Sequence, residues 1–530
     1  MSAQGALAIV LHTHLPFVRH PEHEEFLEER WLFEAITETY LPLLERFQRL
    51  ADEGIPFRIT MSFTPTLLAM LQDGFLQARY VRHLERLIEL SEKEVHRTRW
   101  LPAFHRLALF YHHRLTTARH RYVEQYRRDL IRPFRELAER GCLEPIASCA
   151  THGYLPLMDV CRPAVRAQIA VGVQAFERAF GRRPLGFWLP ECGYHPEHDT
   201  WLHEFGVRYF LLDAHGILFG SPRPKYGVYA PIFCPSGVAA FGRDLESSKS
   251  VWSAEEGYPG DFDYREFYRD IGFDLEYDYV RPYLNGDGIR LNTGIKYYRI
   301  TGKTEEKQPY DPDRALEKAA HHAANFMFNR EKQIEYLRSI MDRAPLVISP
   351  YDAELFGHWW FEGPDWLEFL IRKVHFDQRT FTLRAPSDYL QDYPVNQVLQ
   401  PSMSSWGHGG YHDVWLNGAN DWVYRHLHKM AERMTQAANA YPHPDPVRHR
   451  LLNQMAQQLL LAQSSDWAFI LKTQTHTAYA HRRLRDHIGR FTLLYESLQH
   501  GRVDEPWLAE LEARETVFPS LDYRVYASCV

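Results

Sequence analysis

Positive charge is not in excess in this chain. Its 61 Lys and Arg stand against 68 Asp and Glu, a net charge of -7 over 530 residues. No basic stripe is present, which argues against nucleic acid as the main ligand. No segment approaches the roughly 20 apolar residues that a membrane span needs. Met1 to Val10 has neither a basic n-region nor a long apolar h-region, so the expectation is a cytoplasmic protein without a signal peptide. Cys142, Cys149, Cys161, Cys192, Cys234 and Cys529 are irregularly spaced and form no C-x-x-C pair. They read as free thiols in a reducing compartment. Repeats and low-complexity tracts are also missing. What remains is an ordinary globular composition, 45% hydrophobic and 24% charged, in a chain too long for one core. A large catalytic domain with an appended domain is expected.

Aromatic residues are plentiful, with 13 Trp, 30 Tyr and 31 Phe. Two stretches combine them with acids: Gly186-Phe187-Trp188-Leu189-Pro190-Glu191 and Ile348-Ser349-Pro350-Tyr351-Asp352-Ala353-Glu354-Leu355-Phe356-Gly357-His358-Trp359-Trp360. Each begins as a buried strand and reaches a carboxylate among rings. Carboxylates that attack or protonate, beside flat surfaces that hold sugar rings, are the requirements of glycosidic chemistry. Aromatic surroundings also disfavour a charged carboxylate and keep an acid protonated near neutral pH.

Strand and helix signals alternate through the first 400 residues or so. Ala6 to Leu11, Phe57 to Phe63, Leu143 to Ala147, Phe187 to Leu189, Tyr209 to Leu212 and Leu346 to Ile348 read as strands. Val165 to Phe180 reads as a helix stopped by Gly181. Strands separated by helices pair in parallel, in a doubly wound sheet or a β/α barrel. The barrel is favoured because His12, His14, His152, Glu191, Asp213 and Asp352 all fall at the carboxyl end of a predicted strand. Those ends converge on one face of a barrel. The expected domains are 1–400, with a helical insertion at about 75–140, and an all-helical region over 401–530. Trp422 to Tyr441, Pro446 to Thr473 and Ala478 to Gln499 read as its helices, and their apolar stripes as packing.

His12-x-His14 places two imidazoles on one strand face, suited to sugar hydroxyls or to a metal. Thr151-His152-Gly153-Tyr154 supplies a third, or is an ordinary turn. Glu191, stiffened by Pro190, is the first carboxylate. Asp352 and Glu354 compete for the second, since alternation puts both on one face. Trp252, Trp406 and Trp415 lie in loops or short segments and are expected as exposed stacking platforms, whereas Trp422 and Trp467 lie in helices and read as core.

These residues resemble glycoside hydrolase family 57, and within it the 1,4-α-glucan branching enzymes. Leu11 to Pro16, Ala150 to Tyr154, Phe187 to Glu191, Ser349 to Trp360 and Trp415 to Asn417 carry the likeness, five segments in order and nearly end to end. The resemblance implies a seven-stranded (β/α) barrel with a helical insertion and a C-terminal helical domain. It implies Glu191 as nucleophile and Asp352 as acid/base of a retaining reaction, favouring Asp352 over Glu354. It also implies substrate contacts from His12, His14, His152, Asp213, Arg243, Trp252, His358, Trp406, Trp415 and Asp466, with no metal and no cofactor. The implied partner is an α-1,4-glucan, and the expected assembly a monomer or weak homo-oligomer. A tyrosine-tipped lid loop is implied at about 216–240, with Tyr229 the best match and Tyr226 second. Phe26 or Trp31 stands in for an N-terminal tryptophan of relatives, and Cys149 stands where relatives often have Asn. The same carboxylates would also serve an α-amylase or a 4-α-glucanotransferase. A metal-dependent carbohydrate hydrolase or deacetylase and a non-catalytic glucan-binding protein are the further alternatives.

Overall fold

The computed structural model describes residues 3–253, 256–284 and 288–527. Nine strands form one sheet: β1 (Gly5–Thr13), β2 (Ile59–Phe63), β3 (Leu143–Ser148), β4 (Gly186–Trp188), β5 (Tyr209–Leu212), β6 (Ile232–Phe233), β7 (Ala239–Gly242), β8 (Leu346–Asp352) and β9 (Phe381–Leu383). Seven run in parallel in the order β7-β5-β4-β3-β2-β1-β8. β6 adds antiparallel to β7, and β9 lies parallel beside the start of β1. The two ends of this order meet. The Asp244 N–H, just past β7, donates to the Ile348 carbonyl of β8 at 2.9 Å, and Tyr351 Oη donates to the Ser247 carbonyl at 3.0 Å. The result is the expected seven-stranded β/α barrel.

Side-chain alternation explains what fills it. All nine residues of β1 are buried. Leu7, Ile9 and Leu11 face outward into the large core shared with the helices. Ala6, Ala8 and Val10 face inward and pack with Ile146, Trp188, Tyr209, Leu211, Phe241, Leu346 and Ile348. Small alanines on β1 make room for the rings of Trp188 and Tyr209. The same parity carries His12 to the inner face at the top of β1, and Asp352 to the inner face at the top of β8. The two are register partners across the β1–β8 ladder, and His12 also pairs in register with Ser62 of β2.

The insertion is helical, as expected, with helices Gly74–Arg97, Pro102–His120 and Ile131–Glu139. Past residue 420 the chain forms helices Asp421–Ala440, Pro446–Ala462, Ser465–Thr473, Thr477–His500 and Glu505–Arg514. The expected single helix from Pro446 to Thr473 is broken at Gln463 and Ser464. That break aims the N-terminus of the Ser465–Thr473 helix back at the barrel mouth. Among the elements not read from the sequence are β6, β7, β9 and the 29-residue helix Pro312–Ile340. Cys142, Cys149, Cys161, Cys192 and Cys234 are free thiols, and Cys529 lies outside the described residues. Among the described residues, no helix is long and apolar enough to cross a membrane.

Candidate active site

β4 ends at Trp188, and Leu189-Pro190 lead into a tight turn in which Glu191 adopts φ 60° and ψ 21°. Left-handed backbone at a glutamate is strained and persists only where surroundings enforce it. Here the Glu191 carbonyl accepts from the Trp406 N–H at 2.9 Å. Its carboxylate is gripped at both oxygens, by Trp406 Nε1–H at 2.8 Å and by the Ser465 hydroxyl at 2.9 Å. Burial pushes the Glu191 pKa above the ordinary carboxylate value, and these two donors work against the rise by favouring the anion.

Asp352 is prepared in the opposite sense. Among the described residues its carboxyl has no hydrogen-bond donor. Its pKa is pushed well above the usual value, first by burial and then by the neighbouring charges of Glu354 and Glu191, with Arg243 opposing. Glu354 does not share its orientation. β8 ends at Asp352, and the chain enters a 3-10 turn over Ala353–Leu355, so alternation no longer applies. Glu354 turns instead to the Tyr40 hydroxyl and the His14 backbone N–H, and burial raises its own pKa to about 7.

The histidines form a chain of hydrogen bonds ending at Glu191. Ser62 Oγ lies 2.5 Å from His12 Nδ1, and His12 Nε2 lies 2.9 Å from His152 Nε2. His152 Nδ1 is 2.9 Å from Ser465 Oγ. With Glu191 ionised, Ser465 must donate to it and therefore accepts from His152 Nδ1–H. His152 Nε2 then accepts from His12 Nε2–H, and His12 Nδ1 accepts from the Ser62 hydroxyl. Both rings are neutral in this assignment. This agrees with burial, which holds both pKa values well below that of free imidazole. His12 also stacks on Trp188 at 4.5 Å.

His14 behaves differently. Its ring stacks on His152 at 3.8 Å, and its Nε2 meets Asp466 at 2.9 Å. Burial acts to lower the His14 pKa, but the Asp466 carboxylate outweighs it and the net shift is upward. Burial likewise acts to raise Asp466, but His14 holds it down to about 2. His14, His152 and Asp466 offer metal-ligating atoms within 4.8 Å of one another. His152 bonds to His12 and Ser465, and His14 to Thr64 through Nδ1 and, within the trio, to Asp466 through Nε2.

Just past β5, Asp213 forms an ion pair with Arg243 at 2.8 Å and meets His215 Nδ1 at 3.2 Å. The Arg243 charge in turn acts to lower the Asp352 pKa. Trp406 lies edge-on to Trp188 at 5.0 Å and to Trp252 at 6.3 Å. Trp252 is 41% exposed and offers a face to solvent. Trp415 does not. It is 1% exposed and stacked on Tyr154 at 4.3 Å, so the expected platform is a buried support for the cavity wall. His358 points to Glu38, at 2.8 Å, and so acts on the loop that carries it.

Tyr229 is not brought to this cluster. Its carbonyl accepts from the Leu346 N–H at the start of β8, the end of the barrel opposite Asp352. Its hydroxyl donates to Asp244 at 3.2 Å. Tyr226 is bonded to Asp342, before β8, as is Lys225. The segment expected as a lid is fastened along the β7–β8 seam. Of the candidates for the missing N-terminal tryptophan, Phe26 stacks on His20 at 3.7 Å and Trp31 packs edge-on to His476 at 5.2 Å.

Sequence reasoning missed Ser465. A serine at the start of a helix reads as a cap, and only the break at Gln463 and Ser464 turns it toward Glu191. The described helices past residue 420 are therefore more than packing, since Ser465 and Asp466 complete the site.

Residues 8–402 match the model of glycosyl hydrolase family 57. The chain belongs to that family. Residues 426–526 match the model of the 1,4-alpha-glucan branching enzyme C-terminal region. A curated 1,4-alpha-glucan branching enzyme of Thermococcus kodakarensis is 34% identical, over 99% of this chain and 79% of its own. The crystal structure of that family 57 branching enzyme, in complex with glucose, superposes with a TM-score of 0.88 at 33% identity, covering 99% of this chain and 97% of the other. The structure of an alpha-amylase from Thermotoga maritima superposes with a TM-score of 0.93 at 46% identity, covering 99% of both chains.

Proposed function

We propose that this protein is a 1,4-α-glucan branching enzyme. It cuts an α-1,4 bond and transfers the released segment to a glucan 6-hydroxyl with retention of configuration. The observation that carries this reading is the unequal preparation of two carboxyls near enough for the charge of one to act on the other: Glu191 gripped by two donors, Asp352 given none among the described residues and pressed by Glu354 and Glu191. Environments that push paired pKa values apart assign nucleophile and acid. Glu191 attacks the anomeric carbon while Asp352 gives its proton to the departing glycosidic oxygen, leaving a glycosyl ester on Glu191. Asp352, now ionised, takes the proton of an incoming 6-hydroxyl, whose oxygen displaces Glu191 and forms the α-1,6 bond. His12, His14 and His152 face the donor sugar, with Trp252 and Trp406 as aromatic walls. The branching enzyme of Thermococcus kodakarensis and the match over residues 426–526 support this choice of acceptor.

Water as acceptor is the second reading. The anchored Tyr229 and the likeness to the Thermotoga maritima alpha-amylase favour it. Incubation with amylose and counting of α-1,6 linkages by proton NMR separates the two. New branch signals with few new reducing ends support transfer, and reducing ends without branch signals support hydrolysis. Free thiols suit a cytoplasmic location, and we propose a monomer or weak homo-oligomer.

A further inference from the structure

Two adjacent tryptophans follow Asp352 on the catalytic face, and they point to opposite fates. Trp360 is 1% exposed, whereas Trp359 is 57% exposed. A tight loop sets them apart. The Trp359 N–H donates to the Glu354 carbonyl at 3.3 Å, the Trp360 N–H to the Leu355 carbonyl at 2.8 Å, and the Gly357 N–H to the Trp360 carbonyl at 2.7 Å. Gly357 has φ 106°, and a Cβ there would stand 1.8 Å from the Glu38 carbonyl oxygen, so the turn demands glycine. His358, bonded to Glu38, fastens the loop to the barrel.

Trp359 is not a stray surface ring. Phe267, from the irregular segment ahead of the Pro312–Ile340 helix, stacks on it at 4.6 Å with an interplanar angle of 18°. Lys296 donates to the Phe267 carbonyl and holds that ring in place. Tyr268, 79% exposed, stands edge-on to Phe267 at 5.2 Å. Leaving two large rings in water while backing one of them with a third is the construction of a stacking surface whose rotamer is fixed before anything binds.

We propose that Trp359 and Tyr268 form an auxiliary glucan-binding platform, on which pyranose rings of a long chain stack beyond the catalytic cavity. Continuity argues for this occupant. The platform loop starts at Glu354, whose side chain meets His14 and Tyr40, and follows directly on Asp352, so the exposed Trp359 ring belongs to the loop that leaves the carboxyl end of β8. The proposal rests on the glucan reading above. A short oligosaccharide that fills the cavity alone would not reach it.

The test uses the full chain with Trp359→Ala, Trp359→Phe and Tyr268→Ala, with amylose and maltoheptaose as substrates and thermal unfolding as the folding control. For Trp359→Ala the KM for amylose rises about tenfold, the size of one lost stacking contact. Its kcat stays within about twofold, and maltoheptaose kinetics are unaltered, because the stack lies outside the reacting centre. Trp359→Phe keeps most of the wild-type KM, and Tyr268→Ala shows a smaller rise of the same kind. A folded Trp359→Ala enzyme with an unchanged KM for amylose overturns the platform and leaves the catalytic reading standing. Equal losses on both substrates also overturn it, placing Trp359 in the cavity itself. Loss of self-association with unchanged KM overturns it in favour of a contact between copies. A wild-type enzyme inactive on amylose overturns the glucan reading along with it.

Discussion

The Ser465 hydroxyl donates to the Glu191 carboxylate at 2.9 Å, joining residues 274 positions apart. The helical region past residue 420 thereby holds one of the two hydrogen bonds that favour the Glu191 anion. It also sets the His152 tautomer through Nδ1.

Replacing Ser465 by Ala removes a hydrogen bond to a charged group, which lowers kcat about tenfold to a hundredfold. In the proposed reaction Glu191 must be ionised to attack. Losing a donor raises its pKa further, so the acid limb of kcat/KM moves to higher pH. Ser465→Thr, which keeps the hydroxyl, restores most of the rate. A pH profile of the three enzymes checks both points, and an unmoved acid limb would deny Ser465 this role.

Glu354 affects the opposite limb. In the proposed reaction Asp352 is the acid and must carry its proton, so activity is expected to fall as pH rises through its elevated pKa. The Glu354 charge is the second cause of that elevation, after burial. Glu354→Gln therefore shifts the alkaline limb to lower pH while leaving the nucleophile in place. The measurement is kcat/KM against pH, and an upward shift would contradict the assignment.

The His14–Asp466 pair stabilises the fold as well as the site. Asp466→Asn leaves a protonated His14 without its counter-ion and costs about 3 kcal/mol in urea unfolding. The pH dependence follows from the two shifts. Asp466, held at about 2, contributes stability above its unfolded pKa of about 4 and loses it as pH falls toward 2. His14, raised, contributes below its unfolded pKa of about 6.5 and loses that as pH climbs through the higher folded value. The wild-type advantage is accordingly largest between about pH 4 and 6.5. A deficit equal at pH 3 and pH 5.5 would show that the ion pair contributes little.

Tyr229→Phe removes only the hydroxyl that meets Asp244 and Gln333 at the β7–β8 seam. The ratio of branching to hydrolysis is expected to stay within about twofold, since a wall residue neither covers the cavity nor admits water. Collapse of that ratio would restore Tyr229 as a lid.

Part of this arrangement was legible in residues 6 to 14, where an apolar run reads as a strand and period two puts His12 and His14 on one face at its end, while the uniformly apolar run before them leaves open which face looks inward. Glu191 and Asp352 were readable as carboxylates just past strand ends, but parity could not choose between Asp352 and Glu354, because the chain leaves the strand at Asp352 for a 3-10 turn. β7 was silent because Ala239, Ala240 and Gly242 give no apolar alternation. Ser465 was silent because the break at Gln463 and Ser464 is set by tertiary bonds, among them the Ser465 N–H to the His152 carbonyl. Arg243, His358 and Asp466 came from the family resemblance alone, as charged residues whose partners lie far away in sequence. The bonds of Tyr226 to Asp342 and of Tyr229 to Asp244 were not legible, because the partners lie in separate parts of the chain.

The most direct test of the paired-carboxyl account is covalent trapping. A slow fluorinated α-glucosyl fluoride is turned over by the enzyme, the reaction is quenched with acid, and the peptides are mapped by mass spectrometry. The account predicts a glucosyl ester on the peptide carrying Glu191, accumulating further when Asp352 is replaced by Asn. A label on Asp352 or Glu354, or a turning-over enzyme that never carries one, would contradict it.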